Sequence, residues 1–249
     1  MSLETIDLVR GWLRDATRVV VLTGAGISTE SGLQDFRGPQ GLWTRDPDAE
    51  KLSDIRYYMT DGNIRKKAWQ QRREMLARSA EPNRGHFAIV DLERRGTLHA
   101  LVTQNIDGLH QKAGTSPDLV IEVHGTVRTV RCMKCAWKGP MEETLARVTA
   151  GEADPPCRQC GGILKSDTIS FGQPLVPAVI SRAMRAAETA DLLLAVGTSL
   201  QVYPIASAVP VARGAGARVV ILNGEPTPFD EMADAVLGGS IGETLPRLL

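Results

Sequence analysis

The stretch RVVVLTGAGISTESG, Arg18 to Gly32, decides how the chain folds. Three valines and a leucine follow one another without a polar break, and then the run collapses into Thr23-Gly24-Ala25-Gly26-Ile27-Ser28. A strand covered on one face alternates apolar with polar residues, whereas a strand covered on both faces reads as a continuous apolar run. The stretch is therefore a buried strand of a parallel sheet that ends in a glycine-rich turn. The same pattern returns in LHALV, ending in Thr103-Gln104-Asn105-Ile106-Asp107, and in DLVIEV, ending in His124-Gly125. It returns again in DLLLAV, ending in Gly197-Thr198-Ser199, and in ARVVIL, ending in Asn223-Gly224-Glu225. Helix-like segments over 83–95, 179–189 and 205–213 separate several of these runs. The expectation is an α/β protein with a parallel sheet. In such sheets ligands bind outside the carboxyl ends of the strands, and here those ends carry the chain's most reactive groups. They face one crevice.

Bulk properties narrow what that crevice serves. The 249 residues suffice for one large domain carrying smaller inserts. Twenty-nine basic and 29 acidic residues cancel, so no broad basic field draws the chain to nucleic acid or anionic membrane. MSLETIDLVRGWL has helical apolar spacing at Ile6, Val9 and Leu13, without the basic region and apolar core of a signal peptide. No apolar run approaches the roughly 18 residues of a membrane span. A cytoplasmic protein is expected. Few aromatics (4%) and 24 glycines suit close helix–sheet contacts.

Gly24 and Gly26 would let the backbone approach a ligand, with N–H groups at a following helix start available to phosphate. The ordinary dinucleotide fingerprint wants a third glycine three positions later, and Thr29 stands there; glycine returns only at Gly32. The loop suggests a nucleotide but not an ordinary dehydrogenase. Gly214 and Gly216 precede their strand and read as a helix stop.

CMKC (Cys132, Cys135) and CRQC (Cys157, Cys160) use every cysteine of the chain. Two such knuckles converge on one tetrahedral zinc as four thiolates, in preference to disulfides or a redox pair in a reducing compartment. Four thiolates close the shell to substrate, so the ion is structural.

Read together, GAGISTESGLQDFRG, TQNIDGLH, His124-Gly125, the paired knuckles, SFG at 170–172, GTSLQVYP and LNGEPT occur in the order found in sirtuins. The chain resembles these NAD-dependent protein-lysine deacylases from about Val19 to Pro246. The resemblance implies a Rossmann-like NAD-binding unit with helices on both faces (residues 1–37, 83–126 and 174–249), a helical insert (38–82) and a zinc-binding module (127–173). It implies that Gly24, Ala25, Gly26, Ile27 and Ser28 hold phosphate together with Gly197, Thr198 and Ser199. Asn223, Gly224 and Glu225 would hold the adenosine ribose and Ile241 the adenine edge. Asn105, Ile106 and Asp107 would line a nicotinamide pocket, with Asp107 accepting from the carboxamide and Gln104 near the ribose hydroxyls. Within Asp35-Phe36-Arg37, Phe36 would cover the reacting sugar and Arg37 support the phosphate. Oriented amides and a carboxylate at a strand end preorganise cleavage of the bond to nicotinamide. The substrate's acyl oxygen would attack the sugar to give an alkylimidate. His124 would then act as general base on a ribose hydroxyl, and free lysine and O-acyl-ADP-ribose would leave.

The other histidines receive structural roles: His86 packing at a helix start, His99 preceding its strand, His110 ordering the loop after NIDG. By the same resemblance an acylated peptide would add as a strand between Ser170-Phe171-Gly172 and 201–203, including Val202, through backbone bonds. Departures stand beside the resemblance. Leu33-Gln34 replaces Ile-Pro, and 166–173 reads SDTISFGQ where other members read Pro-x-Val-x-Phe-Gly-Glu. Members that remove succinyl or malonyl groups carry Tyr-x-x-Arg; here Trp69 and Arg72 take those places, and indole lacks the tyrosine hydroxyl. Acetyl or longer neutral acyl groups are expected, with helix packing as the other role for Trp69. Transfer of ADP-ribose to a protein side chain, or a non-enzymatic NAD-sensing module, are the competing functions.

Overall fold

The computed structural model describes residues 3–35, 41 and 49–249. Its centre is a six-stranded parallel sheet in the order β3-β2-β1-β7-β8-β9. Its strands are β1 (Val19–Thr23), β2 (Leu98–Thr103), β3 (Val120–Glu122), β7 (Leu192–Val196), β8 (Arg218–Leu222) and β9 (Ala235–Leu237). All five apolar runs became strands, each paired in parallel with its neighbours. Successive residues of β1 feed opposite cores. Val19 and Val21 pack with helix α1 (Leu3–Asp15) on one face, while Val20 and Leu22 pack on the other. This two-sided burial is why the run has no polar alternation.

Between β2 and β3 the chain forms α6 (Leu109–Ala113), and α5 (Arg84–Arg94) precedes β2. On the first face α1, α5 and the last helix, α10 (Ile241–Leu248), contribute Ile6, Val9, Ile89, Leu92, Leu245 and Leu248 to the core. On the second face α8 (Pro177–Glu188) and α9 (Ala208–Gly214) contribute alanines: Ala183, Ala186, Ala187, Ala208 and Ala212. Small side chains let these helices lie close to the sheet. The first expected helix matches within a residue at each end. The second begins two residues earlier, with Pro177 at its start, where a missing N–H costs nothing. The third divides into a 3-10 turn over Ile205–Ser207 and α9, with Pro210 in the first turn of α9.

One expectation needs correction, and one strand lay outside the expectations. His99 lies inside β2, at its exposed second position, and does not precede it. The sixth strand, β9, was not foreseen: it has three residues, and Val236 at its middle faces outward.

From β1 the chain builds β2 and β3 on one side, then returns to place β7 on the other. The order therefore reverses between β1 and β7, and the crevice of an open α/β sheet opens at such a reversal.

A second, antiparallel sheet, β5-β4-β6, contains β4 (Gly125–Cys132), β5 (Lys138–Pro140) and β6 (Leu164–Thr168), with α7 (Met141–Thr149) beside it. The helical segment comprises α2 (Ala49–Leu52), α3 (Ile55–Thr60) and α4 (Gly62–Ala77). Asp54 and Asp61 cap α3 and α4 by accepting the N–H groups of Arg56 and Asn63. Trp69 of α4 is buried in one cluster with Val130, Cys132, Met141, Leu145, Val148, Cys157 and Leu164. The helical and cysteine-bearing segments, read apart in the sequence, share this core. Arg65 pairs with Asp154 at 2.8 Å, and the Tyr58 hydroxyl donates to Leu164 O at 2.7 Å, tightening the same seam.

Candidate active site between the two sheets

β1 ends at Thr23, and the chain turns through a short 3-10 helix, Ala25–Ser31. The sequence suggested that its glycines admit a ligand. Their first duty is to each other. Gly26 N–H donates to Gly197 O at 2.9 Å, and Gly24 N–H to Val196 O at 3.2 Å. A Cβ on Gly24 would lie 2.8 Å from Gly197 O, and one on Gly26 would lie 2.8 Å from Gly197 Cα. Gly197 itself has φ +59, and its own Cβ would meet Gly26 C at 2.7 Å. The turns after β1 and β7 interlock at the point of strand reversal. After Thr198 and Ser199, buried Leu200 adopts φ +53, a left-handed conformation costly for a branched side chain. That bend redirects the chain into 201–203 along the cleft.

The end of β2 is tied into the same turns. Asn105 Nδ2 donates to Gly24 O at 3.1 Å and to Ser28 Oγ at 3.2 Å. Because a carbonyl only accepts, the amide nitrogen must face inward, and Oδ1 is left to the cleft. Ser28 Oγ in turn donates to Asp107 Oδ2 at 2.8 Å, while Asp107 Oδ1 accepts Leu109 N–H at the start of α6. Gln104 Nε2 donates to Thr198 Oγ1 at 2.8 Å, joining the ends of β2 and β7. Asp107 thus spends one lone pair of each oxygen on its own framework and keeps the others.

His124 sits where the chain leaves the large sheet for the small one. Its carbonyl accepts Ile169 N–H at 2.8 Å, and the next residue, Gly125, has φ +72 and no room for a Cβ beside Asp167. Its Nδ1 lies 3.0 Å from Gln104 O. The carbonyl can only accept, so Nδ1 carries the hydrogen and Nε2 carries the lone pair. Burial pushes its pKa below the ordinary value, and the bond to Gln104 partly opposes this. At neutral pH the ring is a neutral base with its basic nitrogen fixed.

His124, Gln104, Asn105, Ile106, Asp107, Gly24, Ala25, Gly26, Ser28, Gly197 and Thr198 line one cleft of about 1010 Å³, whereas Ile27, expected at the phosphates, is buried in the core beside it. Asp35, Ser199, Asn223, Gly224, Glu225 and Ile241 line it as well, as do Trp69, Arg72, Ser170, Phe171, Gly172 and Val202. Phe36 and Arg37 lie outside the described residues. Asp107 and His124 line the same cleft.

The edge over 170–172 is partly paired within the chain. Phe171 N–H donates to Ser53 O and its carbonyl accepts Ile55 N–H, while Ser170 N–H is taken by Gln173 Oε1. Those groups of Ser170 and Phe171 are therefore already paired within the chain. The amide that replaces the expected carboxylate at Gln173 folds this edge back on itself.

The wall formed by α4 and β6 holds two cations, Arg72 and Lys165, that form no ion pair among the described residues, although the Asp167 charge favours the Lys165 ammonium. Half-buried Arg72 has no carboxylate partner among the described residues; its one bond runs to Met75 Sδ, and burial lowers its pKa. Buried Lys165 donates to Ser166 O and Thr168 O, and burial, with Arg72 nearby, pushes its pKa down to about 7. Trp69 Nε1 is buried without a partner among the described residues.

His86 and His110 follow their structural roles. His86 Nδ1 accepts Asn83 N–H in the capping box of α5, and His110 Nε2 meets Thr23 Oγ1 at 3.0 Å. Their rings lie 4.9 Å apart beneath the cleft. Glu30 and Ser240, which sequence reasoning passed over, also line the cleft. Both belong to exposed polar stretches, and no local pattern marks them.

The four cysteine sulfurs all lie within 4.8 Å of one another, with Cys132–Cys160 at 3.5 Å and Cys135–Cys157 at 3.8 Å. A tetrahedron with Zn–S bonds of about 2.3 Å requires S···S separations of roughly 3.8 Å, so the donor set fits structural zinc and leaves no coordination position open.

Comparison with known proteins agrees with this geometry. The family model described as "Sir2 family" matches residues 24–204. The chain is 52% identical over 231 residues to NAD-dependent protein deacetylase 2 of Streptomyces coelicolor, covering 93% of this chain and 96% of that protein. It superposes with a TM-score of 0.89 on a structure described as giving the basis for the mechanism and regulation of Sir2 enzymes, at 37% identity over 99% of this chain and 97% of the other. A structure of a Sir2–p53 peptide–NAD+ complex is similar at TM-score 0.85 and 32% identity, over 100% of this chain and 97% of that one. A reversed parallel sheet, interlocked glycine turns, a histidine of fixed tautomer and a four-thiolate module are here the parts of one protein, and the chain belongs to the Sir2 family.

Proposed function

We infer that the chain removes acyl groups, acetyl first among them, from protein lysine side chains, consuming NAD and releasing nicotinamide and O-acyl-ADP-ribose. The observation that carries this is His124: a base nitrogen held toward the cleft by Gln104 O, in the same cleft as the Asn105–Ser28–Asp107 network. Asn105 Oδ1 and the remaining Asp107 lone pairs would orient the nicotinamide carboxamide. The Gly24–Ser28 and Gly197–Ser199 turns would receive the phosphates, Gln104 the ribose hydroxyls, and 223–225 with Ile241 the adenosine. His124 Nε2 would take the proton of a ribose hydroxyl. The acyl-lysine peptide would lie between Gly172 and 201–203. The unit made of residues 1–37, 83–126 and 174–249 holds NAD in this proposal, and 38–82 with 127–173 form the opposing wall. No helix among the described residues is long and apolar enough to cross a membrane. The compartment we propose is the cytoplasm, where four thiolates stay reduced for zinc.

The test is to incubate the protein with an acetylated peptide and NAD and to follow peptide mass and nicotinamide together. Equal loss of acetyl and release of nicotinamide supports deacylation. Mass gain on an acceptor supports ADP-ribosyl transfer, and no change in either leaves a binding module.

A second reading of the acyl group has its own observation. Arg72 forms no ion pair among the described residues, and Lys165 adds a second cation to the lining of the same cleft. A cation buried without a partner is costly, and an acyl tail ending in a carboxylate would satisfy it. A panel of acetyl, succinyl and long-chain peptides decides: preference for succinyl, lost in Arg72→Gln, selects this reading, and preference for acetyl in both proteins rejects it.

A further inference from the structure

Glu30 stands at the end of the first glycine turn, and its side chain leaves that turn for the far edge of the cleft. Its Oε1 accepts Ser240 Oγ–H at 3.0 Å and Gly242 N–H at 3.0 Å. Both donors belong to the start of α10. Ser240 caps that helix by accepting Glu243 N–H at 3.2 Å, and Ile241 stands between the two donors. Position 242 can only be glycine while Glu30 is in place: a Cβ there would overlap the carboxylate, with Glu30 Cδ at 3.2 Å. The conformation of Gly242 does not demand glycine, since its φ is not in the left-handed range, and the nearest atoms a Cβ would meet all belong to Glu30.

The glycine turn is anchored on its other sides by Gly197 and by Asn83 Nδ2, which donates to Ile27 O at 2.7 Å and to Ser31 Oγ at 2.9 Å. Neither anchor hydrogen-bonds the start of α10, which meets the turn otherwise through the apolar packing of Ile27 with Ile241. Glu30 does, and the two walls that it joins both line the cleft. A carboxylate at a helix N-terminus also opposes the partial positive charge of the exposed N–H groups. We propose that Glu30 is a positioning residue for the adenosine half of NAD. Through Ser240 and Gly242 it sets the distance between the phosphate-facing turn and the Ile241 edge. The proposal rests on the NAD reading given above.

Glu30→Ala removes both acceptors at once. The KM for NAD should rise about tenfold and ADP-ribose affinity fall by the same factor, the size expected for two modest hydrogen bonds. The kcat, the KM for acylated peptide and inhibition by nicotinamide should stay within about twofold, because none of these depends on the adenosine edge. Glu30→Gln keeps a carbonyl acceptor and should recover most of the loss. Gly242→Ala, which forces the carboxylate aside, should reproduce the defect, and the double variant should be no worse than either single one. Calorimetry with ADP-ribose needs no turnover. If the unmodified protein fails to bind ADP-ribose, the NAD reading fails. If it binds and Glu30→Ala binds equally well, or if the two substitutions are additive, Glu30 has no positioning role.

Discussion

The two walls of the cleft are held by different physics. The large sheet rests on two continuous apolar cores in which almost every β1, β7 and β8 residue is fully buried. Each such aliphatic side chain contributes about 1.5–3 kcal/mol, so no single one decides the fold. The opposing wall has one small cluster in which cysteines stand among the apolar residues. Zinc held by four thiolates is worth on the order of 10 kcal/mol in comparable small modules. The first wall is redundant, and the second hangs on one coordination shell. In the proposed function the reaction lies between them, so the NAD side would stay rigid while the substrate side would depend mainly on its metal shell.

The largest effect should come from breaking that shell. Cys157→Ser should abolish deacylation and shift the fluorescence of Trp69 and Trp137, which pack in the cysteine-bearing core. ADP-ribose affinity should change by no more than a few-fold, because the interlocked turns after β1 and β7 lie on the other wall. Parallel loss of both functions would show that the walls are not energetically separate.

Gly197→Ala strikes the NAD wall where it has no slack. Alanine would be strained at φ +59 and would crowd Gly26. We expect about 2–4 kcal/mol of lost stability and at least about tenfold weaker ADP-ribose binding, read by urea denaturation and calorimetry. Wild-type affinity would mean that the two turns part without consequence.

Acid should erode the large unit. Burial holds His86 down to about 4 and His110 down to about 3, the nearby His86 ring adding to the latter shift. Both are neutral when folded and protonate near 6.5 when unfolded, so the unfolded chain takes up protons first as pH falls. Their contribution is whole above about 6.5, declines below it and is gone by about 3. Denaturation midpoints measured from pH 7.5 to 5 should fall, and replacing His110 with Gln should flatten the slope. A midpoint independent of pH would mean that the pair is solvated.

The smallest effect should come from Trp69→Phe. The substitution leaves a cavity in the shared core but removes an indole N–H that has no partner among the described residues. The two changes offset, and we expect a net loss of about 1–2 kcal/mol in urea denaturation. A loss above about 4 kcal/mol would show that the indole nitrogen bonds within the fold.

Legibility differed between the walls for the same reason. The runs 18–22, 98–102 and 191–196 show their structure because burial on both faces leaves a continuous apolar signature. The four cysteines show theirs because metal ligation demands fixed spacing. What escaped notice depends on contacts between distant residues. β9 is a three-residue edge strand whose middle residue faces water, so it carries no long apolar run. Trp69 joins the cysteine core from far away in the chain. The duty of Gly24 and Gly26 is set by Gly197, and that of Gly242 by Glu30. The site residues at strand ends were readable because topology alone delivers them to one edge. The pairing of Phe171 with Ser53 and Ile55 was not, since backbone bonds leave no mark on side-chain choice.

The central claim is that His124 acts on a cleft whose NAD wall is built without it. The most direct measurement sets turnover beside binding in His124→Ala: deacylation of an acetylated peptide followed by mass, and ADP-ribose affinity by calorimetry. We expect turnover to fall by about 10²–10⁴, the range for a lost general base, with affinity within about twofold of wild type. Affinity that falls together with turnover would contradict the claim and make His124 part of the NAD wall itself.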